Sequence, residues 1–138
     1  MEERERAITR LCEEAVDRLA DELPGREVAC LLARDDALRH VAHRGSLRFI
    51  FEIPRELGGV VWRTYDTREL QAVPDVTSDP DYVASDDAVT SEIAAPVVVD
   101  GEVVAVLDVE ATSTLDGTDA AVVARAAERL ADELRPHV

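Results

Sequence analysis

Apolar residues change their spacing several times along this chain, and each change marks an element. Ile8, Leu11, Cys12, Ala15, Val16, Leu19, Ala20 and Leu23 recur at helical spacing, which predicts an amphipathic helix over 2–23. Its other face carries Glu, Asp and Arg at distances that allow local ion pairs, and Pro24-Gly25 stops it. The next residues favour extended chain. Glu27 to Arg34 (EVACLLAR) and Leu38 to His43 read as strands joined by a turn at Asp35-Asp36. Gly45 ends the second, Leu47 to Ile53 is a third extended candidate, and Pro54 closes it. Over 56–67, Val60, Val61 and Thr64 favour a strand by propensity, while Leu57, Val60, Val61 and Tyr65 are spaced as in a helix; a short helix is the preferred expectation. Gln71 to Val73 is a short strand before Pro74, and 75–87 (DVTSDPDYVASDD) is a polar loop of a length that often serves function.

The clearest pattern is SEIAAPVVVDGEVVAVLDVEAT, from Ser91 to Thr112. Two β-branched runs flank Asp100-Gly101, a strong hairpin signal. The odd positions Ile93, Ala95, Val97, Val99, Val103, Ala105, Leu107 and Val109 are wholly apolar. A two-residue turn would split that set across the sheet, so a three-residue turn, Asp100-Gly101-Glu102, is expected. In that register Glu92 sits opposite Glu110, with Asp108 a neighbour on the same face. Facing like charges destabilise a sheet, so three gathered carboxylates call for a cation, a shared proton or open solvent.

Asp116, with Asp119 three residues on, is expected to cap a final helix to about Arg135. Its inward stripe is expected at Val122, Val123, Ala126, Ala127, Leu130 and Leu134. The order implies an α+β fold: one central antiparallel sheet of about six strands, terminal helices (1–24 and 116–135) on one face, and a pocket under 56–90 on the other. The 138 residues suit one domain over 1–138.

Charge narrows the partners. The net charge is −15 and every basic residue is arginine, which argues against nucleic acid and anionic membrane. Cys12 and Cys30 lack metal-type spacing and are expected to be reduced and buried. No apolar run reaches membrane-spanning length and the N-terminus is unlike a signal peptide, so a cytoplasmic location is expected.

The stretches LGGVVWRTYDTRELQAVPDVTSDPDY, SEIAAPVVVDGEVVAVLDVEA and LDGTDAAVVARAAERLADEL together resemble the GAF domain family. That resemblance implies a six-stranded sheet, a small-molecule pocket, terminal helices that often build a homodimer, and a role as sensor or regulatory subunit in signal transduction. An enzymatic branch, the free methionine-(R)-sulfoxide reductases, also consists of short GAF proteins. Its substrate-contacting carboxylates match Glu92, Asp108 and Glu110, whereas its cysteines are replaced by Val61 and Ser85. Sulfoxide reduction needs a thiolate, so the resemblance implies binding of an amine-bearing small molecule rather than catalysis. The residues that would bind bilin or cyclic nucleotide are absent. Haem would need a pocket histidine, and His40 and His43 sit on an early strand.

The candidate ligand-binding residues are Glu92, Asp108, Glu110, Asp75, Tyr82, Ser85 and Trp62. The carboxylates read either as a cation receptor or as acids at a strand end facing water. A divalent metal could use them too, but no histidine or further ligand accompanies them, and neither metal nor cofactor is expected. Ser85 reads as a vestigial nucleophile position or as a turn cap, Trp62 as part of a lid or as packing, Asp75 and Tyr82 as ligand contacts or solvated loop. Three functions remain open: a non-catalytic ligand-binding module, a divergent reductase-like enzyme, and a dimerisation scaffold with a collapsed pocket.

Overall fold

The computed structural model describes residues 2–138, so Met1 of the expected N-terminal segment lies outside it. Helix α1 spans Glu3–Glu22 and strand β1 Glu27–Arg34. Then come β2 (Ala37–Arg44), β3 (Glu52–Pro54), a 3-10 turn at Arg55–Leu57, α2 (Val60–Thr67) and β4 (Gln71–Val73). A second such turn at Val76–Ser78 precedes β5 (Ser91–Val99), β6 (Glu102–Ala111), α3 (Gly117–Leu134) and a last turn at Arg135–His137. The strands form one six-stranded antiparallel sheet in the order β3-β2-β1-β6-β5-β4.

The β5–β6 hairpin resolves a conflict between its turn and its pattern. Asp100 and Gly101 both have positive φ, 50° and 83°, as a two-residue type I′ turn requires. Val99 therefore pairs with Glu102, and the expected three-residue turn is not formed. A bulge beyond Val97 restores the apolar pairing: Val97 faces Ala105, Ala95 faces Leu107, and Ile93 faces Val109. The extra residue moves Val103 off the odd face, and it packs in the core on the opposite side of the sheet. The remaining odd positions lie under the terminal helices as expected.

Helices α1 and α3 cover that face with Leu19, Leu130 and Leu134, all essentially unexposed. A fully buried leucine contributes on the order of 2 kcal/mol. Ala131 replaces Val122 and Ala126 in the buried stripe of α3, the latter two being half-buried. The N-terminus of α3 carries the expected reciprocal cap, with Asp116 accepting from the Asp119 amide and Asp119 from the Asp116 amide. Cys12 and Cys30 are free thiols inside this core. The third strand is shorter than expected: 47–51 is irregular and only Glu52–Pro54 pairs with β2.

A second apolar cluster lies on the other face. Ala29, Leu31, Leu38, Ala94 and Val106 of the sheet meet Val60, Val61 and Trp62 of α2, with Val76 and Val89 from the loop. The segment 56–90 folds over this face, and α2 confirms the helical reading of 56–67 with a start at Val60.

Candidate functional site

The hairpin register places Glu92 directly opposite Glu110 and Asp108 opposite Ala94. All three point to the face beneath α2, because they occupy even positions on strands whose odd positions serve the helices. One oxygen from each carboxylate lies within 4.8 Å of the others. Glu92 is 4% exposed and Asp108 8%. Burial raises Glu92 to about 7, and the charges of Glu110 and Asp79 add to this, while a hydrogen bond with Asp108 and the charge of Arg63 oppose it. Burial, then the charges of Asp108, Glu27 and Asp86, push Glu110 up to about 8; the Ser85 hydroxyl donates to it and pulls the other way. Asp108 is raised well above the ordinary carboxylate range by burial and by Glu92 beside it. Its Oδ1 is buried with no hydrogen-bond partner. Removing acids from water disfavours their charged form, and neighbours of like sign add to that cost.

Two loops roof the acids, and each is tied down by charge. Arg63 on α2 donates to both carboxylate oxygens of Asp79 at 2.7 and 2.9 Å, to Asp81 at 2.9 Å and, through Nε, to Gln71 at 2.9 Å. This fork draws the 79–81 loop onto α2. On the other side, the Glu27 carboxylate accepts from the Ser46 and Leu47 amides at 3.1 and 2.9 Å. Gly45 makes that wrap possible: a Cβ there would lie 2.2 Å from Glu27 Oε1, at φ +144°. The Arg48 amide donates to Asp86 at 3.1 Å and joins the two loops.

A small cavity of about 40 Å³ lies between roof and sheet. Glu92, Asp108 and Glu110 line it, as does Ser85. So do Val60 and Val61 of α2 and the backbone of Gly58 and Gly59. The lining includes no arginine.

The other sequence candidates are not part of the lining. Trp62 is buried away from the lining; its Nε1 donates to the Ile53 carbonyl at 3.0 Å, and its ring meets Tyr65 and the Arg55 guanidinium. Asp75 caps the Val76–Ser78 turn, accepting from Thr77 and Ser78, and is exposed. Tyr82 is also outside the lining, yet its phenol is raised by burial and by the charges of Glu110, Glu92 and Asp108, and its hydroxyl is buried without a partner.

His40, Phe49, Ile50, Ile53 and Leu57 are wall residues absent from the candidate set. His40 corrects its placement away from the pocket. It shares parity with Leu38, whose side chain packs in the cluster on this face, and that spacing was the available signal. Burial lowers its pKa. Phe49 and Ile50 lie in the irregular segment, where no period shows which side chain turns inward.

Three closely spaced, poorly hydrated carboxylates can hold a shared proton, accept the N–H groups of an ammonium, or seat a hard divalent cation through oxygen alone. None of these is a redox step. Both thiols of the chain lie in the core on the far side of the sheet.

The sequence profile of the GAF domain matches residues 5–134. Comparison with curated proteins gives no match. Among solved structures, type II free methionine-R-sulfoxide reductase from Thermoplasma acidophilum superposes with a TM-score of 0.84 at 23% identity, covering 96% of this chain and 95% of that one. The corresponding reductase from Neisseria meningitidis, solved with its substrate, gives 0.83 at 24% identity over 92% of this chain and 77% of that one. The GAF domain of a phosphoenolpyruvate-protein phosphotransferase from Coxiella burnetii gives 0.78 at 16% identity over 92% and 82%. At these identities the likeness is one of fold.

Proposed function

The chain belongs to the GAF domain family, and we propose that it is a non-catalytic binding module whose cavity takes a small molecule through an ammonium group. The observation that carries this reading is the carboxylate trio: three acids line one cavity, Asp108 Oδ1 has no partner, and no arginine lines the cavity with them. A bound ammonium would supply the missing donors and charge at once, and charge-assisted hydrogen bonds in a dry site are the strong ones. Ser85 would act by holding the Glu110 carboxylate in place. The proposal includes a homodimer built through α1 and α3, and signalling through those helices.

The test is calorimetric titration with small amines near neutral pH. Glu92→Gln or Asp108→Asn should weaken binding about tenfold, or about 1.4 kcal/mol. Unchanged affinity in both variants would sink the assignment.

The likeness of fold to the two reductases favours a second reading, a divergent enzyme on free methionine sulfoxide. Against it stand Val61 and Ser85, cavity residues at the positions where the reductase branch carries thiols. Turnover of free methionine sulfoxide with a thiol reductant would replace the binding reading.

A further inference from the structure

Apart from the three acids, most of the cavity lining is apolar, and that composition points to a ligand class. The three carboxylates lie together, one oxygen of each within 4.8 Å of the others. Ile50, Ile53, Val60 and Val61 form the walls. Two further lining residues, Phe49 and Leu57, are 42% and 41% exposed, so the cavity meets solvent where they stand. Among the described residues four large hydrophobic side chains are exposed, and three of them, Phe49, Phe51 and Leu57, fall within 49–57. Phe49 is held rather than loose: its ring stacks on His43 at 4.2 Å and contacts His40 at 4.8 Å. Beside Leu57, nothing lies within 4 Å of where a Gly58 Cβ would be, which leaves the backbone open at that point.

A large apolar side chain held in water at a cavity mouth loses nothing if a ligand covers it and gains by the area covered. The interior has room for little more than a head group, so a larger ligand must run out along this wall.

Resting on the ammonium-receptor reading, we infer that the ligand is an amine with a compact apolar tail, its head on Glu92, Asp108 and Glu110 and its tail leaving between Phe49 and Leu57. Polyamines and purely polar amines lack the part that the mouth would cover.

The experiment is a titration series at pH 7.5: methylamine, propylamine, pentylamine and 1,5-diaminopentane. Affinity should rise about threefold to fourfold with each methylene that reaches the wall. The diamine should bind more weakly than pentylamine. In Phe49→Ala and Leu57→Ala the gain per methylene should shrink; both side chains are partly exposed, so these variants are expected to fold. If methylamine binds and the series is flat, or the diamine matches pentylamine, the tail inference is overturned while the receptor reading stands. If no amine binds at millimolar concentration, the receptor reading fails and takes this inference with it.

Discussion

Replacing Glu92 by Gln should make the protein more stable at slightly alkaline pH and a worse receptor. Glu92 is 4% exposed, so its shift needs little discount for solvent. Its pKa rises from an ordinary 4.5 to about 7. Below pH 4.5 the folded and unfolded chains both hold the proton, and the group has no effect on the balance. Between 4.5 and about 7 the folded chain keeps a proton that the unfolded chain has released, so stability falls as pH rises. Above about 7 the loss is complete and constant. At about 1.36 kcal/mol per pH unit, the shift amounts to roughly 3 kcal/mol. Part of that sum is shared with Asp108 and Glu110, to which Glu92 is coupled, so about 2 kcal/mol is expected for one substitution. Glutamine has nearly the shape of the neutral acid and never ionises, so it removes the loss. With an unfolding entropy of about 0.3 kcal/mol/K for a chain of this length, the gain at pH 8 is near 7 °C in Tm. Urea melts of both proteins at pH 4.5, 6, 7 and 8 should converge at the lowest pH and diverge above it. A gap independent of pH, or a variant less stable at pH 8, would refute the argument that burial of these acids opposes folding. The paired outcome, a firmer fold with weaker amine binding, is expected where a site is kept for function.

Three further substitutions probe what holds the site together. Arg63→Ala removes the fork that holds Asp79 and Asp81 and should cost about 1–3 kcal/mol; urea melts and faster proteolysis within 79–87 would register it, and an unchanged cleavage pattern would count against the clamp. Gly45→Ala puts a Cβ 2.2 Å from Glu27 Oε1 at a φ of +144° and should cost about 1–3 kcal/mol, measured by chemical denaturation; a stability equal to the parent's would contradict it. Asp116→Ala should lose about 1 kcal/mol with the α3 cap, and Asp116→Ser should recover most of that.

The acidic end of the site was legible in the chain because it depends on one local rule. Side chains alternate along a strand, and keeping the apolar odd positions together forces Glu92 to face Glu110. The same locality made the boundaries of β1 and β4 and the Asp116–Asp119 cap readable. The turn was misjudged because pattern and turn chemistry gave opposite answers, and a bulge, which only the assembled ladder decides, satisfied both.

The rest of the cavity follows no local rule. Phe49 and Ile50 reach it because Glu27, about twenty positions earlier, holds the 46–47 amides and bends the chain inward. Trp62 leaves it because its indole finds the Ile53 carbonyl and the Arg55 guanidinium. Asp75 is spent on its own turn. These outcomes depend on contacts between segments far apart in sequence, each weak against the entropy of ordering a loop until the sheet brings its ends together. Sequence alone thus determined which residues are acid, which face they share and which helices cover the other side. Only the tertiary structure decided which side chains form the walls, because loop positions are set by long-range partners rather than by period.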